Sequence, residues 1–398
     1  MNMLQANNER SKRLTKLCIE IIEKKSGKAE ILQFTEDLNN VRPIEVISIV
    51  EAVIDISRNM AEKKRNLSKI LNVLHKGISK YKWELSSGNL FLKDMMSENS
   101  FLKKELAELK NELKGLNIET ENSILRNEKV KGLIDKILRL KNIESHYVKK
   151  ENILFPYLEK KGGHLKCLPV MWSIHDDVRN ALKKIQSMRN KKRINFENFY
   201  SIIGELFFSM YAMIFREELI LYPAAIEIFA DEEWESMYEE SFGIGFSFID
   251  KKLKKSKSGI PGGVSGTDLI NLGSGILDVE VLKLILNFLP LDITFVDEND
   301  KVAYFSQPST RIFPRTKAII GREVQNCHPP ESVDRVNNII NSFRNGSSSK
   351  ESFRIFYKKK YILIDYYAVR DREGIYKGTL EVTTDITDIN KLTGEKRL

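Results

Sequence analysis

Lys150-Glu151-Asn152-Ile153-Leu154-Phe155-Pro156 is answered further along the chain by Glu217-Glu218-Leu219-Ile220-Leu221-Tyr222-Pro223, one acidic–apolar–aromatic–proline phrase written twice. Both copies lie in stretches whose apolar residues recur at helical spacing, so they predict two helices that are paired halves of one bundle. Outward from them the same period predicts four long helices: Leu90 to about residue 116, one within Ile124–Pro156, Val170–Ser187 and Phe196–Ala230. Four long helices with short links favour a bundle. Upstream, Leu14, Cys18, Ile21 and Ile22, then Val46, Ile47, Val50, Val53 and Ile54, predict further helices over residues 9 to about 82. Ser26-Gly27 and Arg42-Pro43 mark turns, with Pro43 suited to a first helical turn. Ser86-Ser87-Gly88 closes this region.

Downstream the period changes. Lys251 to about Gly275 is rich in Lys, Gly and Ser, the composition of a linker. Asp292–Asp297 and Val302–Phe305 alternate as strands around an Glu298-Asn299-Asp300 turn, and Val333–Phe343 reads as a helix. Ser352–Tyr357, Tyr361–Arg370 and Tyr376–Thr384 then read as three successive strands, giving an α+β domain. The expected division is 1–85, an N-terminal helical domain; 86–250, a helical bundle; 251–278, a linker; and 279–398, the α+β domain.

A chain of 398 residues exceeds one ordinary core, which agrees with several domains. The start, MNMLQANNERSKRLTK, lacks the apolar stretch of a signal peptide, and no run of 18 apolar residues occurs, so a cytoplasmic protein without a membrane role is expected. Cys18, Cys167 and Cys327 form no CxxC pair, which argues against disulfides or a zinc knuckle. The net charge of +9 arises from 64 basic and 55 acidic residues that interleave, as solvated helix faces do, so nucleic acid is not the expected partner. Walker, Gly-x-Ser-x-Gly, zinc-protease and kinase signatures are absent, and no enzyme activity is expected.

Two constellations carry the chemistry. In the bundle, a two-iron centre needs histidines and carboxylates converging from four helices, and only His146, His164 and His175 are at hand. His146 has Lys150 at i+4, with Glu151 one place further and about 140° around the helix. Glu217 has Met213 at i−4, where a ligand histidine is wanted. That leaves His146, His175, Glu217 and Glu151 as metal candidates, with Glu98 and Glu218 as spare carboxylates. Two histidines and a carboxylate suit one iron. The plain alternative is a lost site filled by packing and ion pairs. In the α+β domain, Cys327-His328-Pro329-Pro330 precedes the Val333–Phe343 helix; Cys327 or His328 can serve as an axial haem ligand, or His328 can bond a backbone carbonyl while Cys327 packs.

The chain resembles bacterial three-part proteins that join a domain of unknown function (number 438), a hemerythrin-type HHE cation-binding region and a PAS domain. The resemblance rests on His146-Tyr147-Val148-Lys149-Lys150-Glu151-Asn152-Ile153-Leu154-Phe155-Pro156 and Val170-Met171-Trp172-Ser173-Ile174-His175-Asp176-Asp177. In the C-terminal part it rests on Arg311-Ile312-Phe313-Pro314-Arg315-Thr316, Val324 to Pro330 and Gly378-Thr379-Leu380-Glu381-Val382. It departs where the family carries histidines at the start of the first bundle helix: this chain has Asn89-Leu90-Phe91-Leu92-Lys93. The resemblance implies a hemerythrin-like four-helix bundle followed by a PAS domain, and a sensory function. The PAS domain is expected to bind a small molecule, a gas or haem and to relay its state to a protein partner or through a homo-oligomer. The alternatives are iron binding by the bundle, in oxygen, nitric oxide or iron handling, and a nucleic-acid-binding regulator.

Overall fold

A computed structural model describes residues 9–25, 27–115, 123–163, 165–191, 194–249, 251 and 269–395. The chain divides into two compact units, Met1–Lys251 and Lys252–Leu398. His164 and most of the predicted linker, residues 252–268, lie outside the described residues.

In the first unit the helices run α1 (Glu9–Ile22), α2 (Lys28–Gln33), α3 (Thr35–Asn39), α4 (Pro43–Asp55) and α5 (Met60–Ile78). The bundle follows with α6 (Leu90–Lys114), α7 (Ser123–Ile137), α8 (Glu144–Lys149), α9 (Phe155–Gly162), α10 (Cys167–Arg189), α11 (Phe196–Arg216), α12 (Tyr222–Ile226) and α13 (Asp231–Ser241). Local chemistry sets the starts. Pro43 opens α4, where Glu45 accepts from the Arg42 N–H at 2.8 Å. Asn59, Asn89 and Asn195 cap α5, α6 and α11 through their side-chain oxygens. One continuous apolar core runs from Leu14 in α1 to Met237 in α13, so the first five helices share their interior with the bundle. The rod Phe196–Ile226 is long and apolar enough to cross a membrane, yet Phe199, Leu206, Met210 and Met213 belong to this core.

The two echoing phrases share a local structure. Lys150–Leu154 and Glu217–Leu221 are both π-helical turns, each running into an aromatic–proline step. Pro156 and Pro223 lack the N–H that a continuous α-helix would direct at Asn152 and Leu219, and their rings would press on those carbonyls. Widening the helix by one residue removes the conflict. Lys149, at the end of α8, and Lys150 and Glu151, in the first π turn, are all buried, three consecutive charged residues inside the core.

The second unit begins with a hairpin, β1 (Leu269–Asn271) and β2 (Ile276–Asp278), within a stretch whose composition reads as linker. Helix α14 (Val279–Phe288) follows, capped by Asp278, with Leu284, Ile285 and Phe288 exposed. Strands β3 (Asp292–Asp297), β4 (Val302–Phe305), β5 (Lys350–Tyr357), β6 (Lys360–Arg370) and β7 (Tyr376–Asp385) form one antiparallel sheet in the order β4-β3-β7-β6-β5. Helix α15 (Val333–Arg344) packs Ile340 and Phe343 into this unit. The predicted strands and helix all form, within a residue or two at their ends.

Candidate functional site

The bundle brings its candidate residues to the middle of the first unit and wires them into an ion chain. His146 on α8 has Nδ1 at 2.7 Å from Glu98 Oε2 on α6 and Nε2 at 2.9 Å from Glu217 Oε2 in the second π turn. Lys149 Nζ donates to Glu98 Oε1 at 2.6 Å, and Lys150 Nζ donates to Glu217 Oε1. The sequence of contacts is Lys149–Glu98–His146–Glu217–Lys150, with every member buried. Tyr222 and Asn99 also donate to Glu217 Oε2, at 2.9 and 2.8 Å. Ser247, downstream of α13, donates its N–H to Glu98 Oε1 at 2.7 Å and accepts the His146 N–H at 2.9 Å.

Burial alone would raise the Glu217 carboxyl; Lys150 and His146 outweigh it and hold Glu217 well below the usual carboxylate range. Glu98 is held low in the same way, burial being outweighed by His146 and Lys149. The two ammonium groups are pulled down by burial, with their carboxylates opposing.

Beside this chain, His175 Nδ1 meets Glu151 Oε1 at 2.7 Å, and Arg179 donates to both Glu151 oxygens at 3.0 and 3.1 Å. Burial, then Lys150 and Arg179, keep His175 well below the ordinary histidine value, so the ring is neutral. Burial pushes the Glu151 carboxyl up to about 7, against Arg179. The His175 ring stacks on Tyr147 at 4.2 Å between centroids; His175 Nε2 and the Tyr147 hydroxyl are buried and unpartnered among the described residues.

These residues do not fit the metal that the bundle type implies. A ligating histidine offers a ring lone pair while its other nitrogen donates outward. His175 keeps that form, but His146 has a carboxylate oxygen within hydrogen-bond distance of each nitrogen, so neither ring nitrogen is open to a metal. Glu98 and Glu217, the carboxylates for a metal, already hold lysine ammonium groups. Among the described residues no three His, Cys, Asp or Glu side chains converge as a metal site. His146 and Glu217 are thus brought together, and His175 and Glu151 form a separate pair. Glu98, a spare carboxylate in the sequence reading, is the second partner of His146; Lys149, Asn99, Tyr222 and Arg179 are the partners that spacing did not assign. The sequence signal for them was three consecutive charged residues, Lys149-Lys150-Glu151, ahead of an apolar–proline phrase.

In the second unit a cavity of about 260 Å³ lies between sheet and helix. Val296, Val324, Ile339, Phe353, Ile355 and Ile364 are among its apolar walls, and His328, Tyr366, Thr379 and Glu381 are polar members. His328 Nδ1 meets the Val324 carbonyl at 2.8 Å. Burial holds the ring below its ordinary value, with that hydrogen bond opposing, so neutral His328 donates from Nδ1 and keeps an acceptor at Nε2. Cys327 does not line the cavity: it packs against the small core around Val296 and Ile340, and its thiol donates to the Glu323 carbonyl at 3.7 Å.

The domain families agree with this geometry. The family described as hemerythrin HHE cation binding domain matches residues 90–225, and a PAS domain family matches residues 282–387. No curated protein matches the chain. Among solved structures, the C-terminal domain of a Streptococcus mutans protein is 36% identical over 32% of this chain and 98% of its own, with a TM-score of 0.31. The PAS domain of a Colwellia psychrerythraea protein is 17% identical over 27% of this chain and 97% of its own, with a TM-score of 0.23. A sensory box sensor histidine kinase from Vibrio cholerae is 15% identical over 27% and 90%, with a TM-score of 0.22. With the bundle, the sheet and both family matches in view, the chain carries a hemerythrin HHE domain over residues 90–225 and a C-terminal PAS domain over residues 282–387.

Proposed function

We propose that the chain is a sensor whose PAS domain admits a small molecule into the cavity beside His328. The observation that carries this reading is the cavity itself: about 260 Å³, with apolar walls and a few inward polar groups. Ligand sites have this composition, and those for drug-sized molecules span roughly 300–1,000 Å³. The guest is therefore a small one. A binding event shifts the domain only if the guest favours one of two conformations. The exposed Leu284, Ile285 and Phe288 of α14 support a protein partner, a second copy included, as the receiver of that change.

Haem is the second reading, favoured by one observation: anchoring of His328 Nδ1 on a carbonyl leaves Nε2 as the ligating atom. The ligand atom fits, whereas a porphyrin needs more room than the cavity offers. Haem would supply gas or redox sensing; His328 would hold its iron.

The test is a visible spectrum with iron quantification on the freshly purified full chain, together with native mass spectrometry for small guests. A retained small molecule without a Soret band is the expected result. A Soret band abolished by His328→Ala establishes haem instead, and a chain that takes up no guest of either kind removes the sensory reading.

A further inference from the structure

The inner face of the sheet is unusually polar along its middle. In the β3–β7 register Thr294 faces Glu381, Asp292 faces Thr383 and Val296 faces Thr379. Asp292, Thr294, Thr379, Glu381 and Thr383 are all buried, on a face that packs against helix and loop and would ordinarily be apolar. Most of these groups have local work. Asp292 accepts the N–H groups of Ile312 and Phe313, at 2.8 and 3.3 Å. Thr294 accepts from Arg311 at 3.4 Å, and Thr379 pairs with the Tyr376 hydroxyl at 2.8 Å.

Glu381 is different. It is 9% exposed and its side chain forms part of the cavity wall. Tyr366, another wall residue, is its register partner on β6. Among the described residues no ion pair reaches Glu381; Arg311 and Arg315 act on the same neighbourhood only at longer range, and Arg311 spends its donors on Phe313 O, Ser306 O and Thr294. Arg335, the cation in the cavity wall, is exposed and lies over the Phe353 ring. A buried carboxylate without a paired cation is costly, and it becomes favourable when a ligand brings the cation. His328 adds a second acceptor in the same wall, since Val324 O takes its one ring N–H.

We propose that the cavity selects a small apolar molecule with a protonated amine head, the ammonium bound by Glu381 with His328 Nε2 as a further acceptor. This rests on the cavity reading above and adds to it the sign of the ligand's charge. A neutral alcohol satisfies one acceptor and leaves the charge unmatched. A carboxylate of the same size meets Glu381 as a like charge and is excluded.

The experiment uses the full chain and three probes of matched size and apolar body: 2-phenylethylamine, 2-phenylethanol and phenylacetate, each titrated to millimolar concentration by calorimetry and thermal shift. The amine is expected to bind and to raise the unfolding midpoint, with the alcohol weaker by about tenfold or more, as loss of a charged hydrogen bond predicts, and phenylacetate silent. In Glu381→Gln the amine is expected to fall to the level of the alcohol. The wild-type comparison stands even if that variant folds poorly. Equal or tighter binding of the alcohol or of phenylacetate overturns the amine assignment and leaves the cavity reading in place. Failure of all three probes overturns both.

Discussion

At the scale of single residues, the bundle centre is a case of buried charges that depend on one another. Lys150 and Glu217 are both completely buried, and taking away one partner of such a pair costs about 3–5 kcal/mol because the other charge is stranded. Lys150→Met is therefore expected to destabilise the full chain by about that much in urea unfolding, as is Glu217→Gln by leaving Lys150 unmatched. The double variant should be more stable than the sum of the two losses predicts; strict additivity would show that the two side chains are not each other's counter-ions. The pH dependence has the same origin. Glu98 and Glu217 are held below their unfolded values, so the stability they contribute is complete above the unfolded glutamate value of about 4.3 and is lost as pH falls through and below it. The thermal midpoint of the bundle transition is expected to drop steeply below that pH, and Glu217→Gln to flatten the drop.

At the scale of elements, close approach matters as much as charge. Gly77 sits in α5, and a Cβ built there would lie 1.7 Å from the Leu38 carbonyl oxygen of α3. Helix α3 must move for any side chain to fit, so Gly77→Ala is expected to cost about 1–3 kcal/mol despite its better helix propensity. Chemical denaturation checks this: a neutral or stabilising effect would mean that α3 is not held against α5. The π turns are the other element-scale device. The first holds Lys150 and Glu151, both buried, and the turns were not readable as such because helical spacing places Glu151 about 140° from His146. The seven-residue echo was legible; what it does to the helix was not, since the conflict arises between each proline ring and a carbonyl four residues back.

For the whole molecule, the two units call for different partners. The first supplies its own cations, Lys149 and Lys150, to the carboxylates that a bundle of this family would offer to metal. A metal that binds only the folded state raises the unfolding midpoint. Prolonged treatment of the full chain with a chelator is therefore expected to leave the midpoint unchanged. Anaerobic reconstitution with ferrous iron should leave the bundle well short of one iron per chain. Stoichiometric iron, or a midpoint that falls on chelation, would show that His175 and its neighbours rearrange to bind. The second unit instead keeps a buried carboxylate, Glu381, facing open volume.

The sequence by itself determined the order of the long bundle helices and of strands β3 to β7 with helix α15, because periods of 3.6 and 2 and the turn residues between them are local properties; the hairpin β1–β2 and helix α14 were not read from it. It also singled out His146, His175, Glu217, Glu151 and His328 as the polar residues that matter, because each stands in a stretch otherwise suited to burial. Only the tertiary structure decided what they do. Whether Glu217 meets a metal or Lys150, whether both nitrogens of His146 are taken, and whether Glu381 faces a helix or a cavity are set by side chains distant in the chain. The free energy of a buried charge depends on those neighbours and not on its place in the sequence.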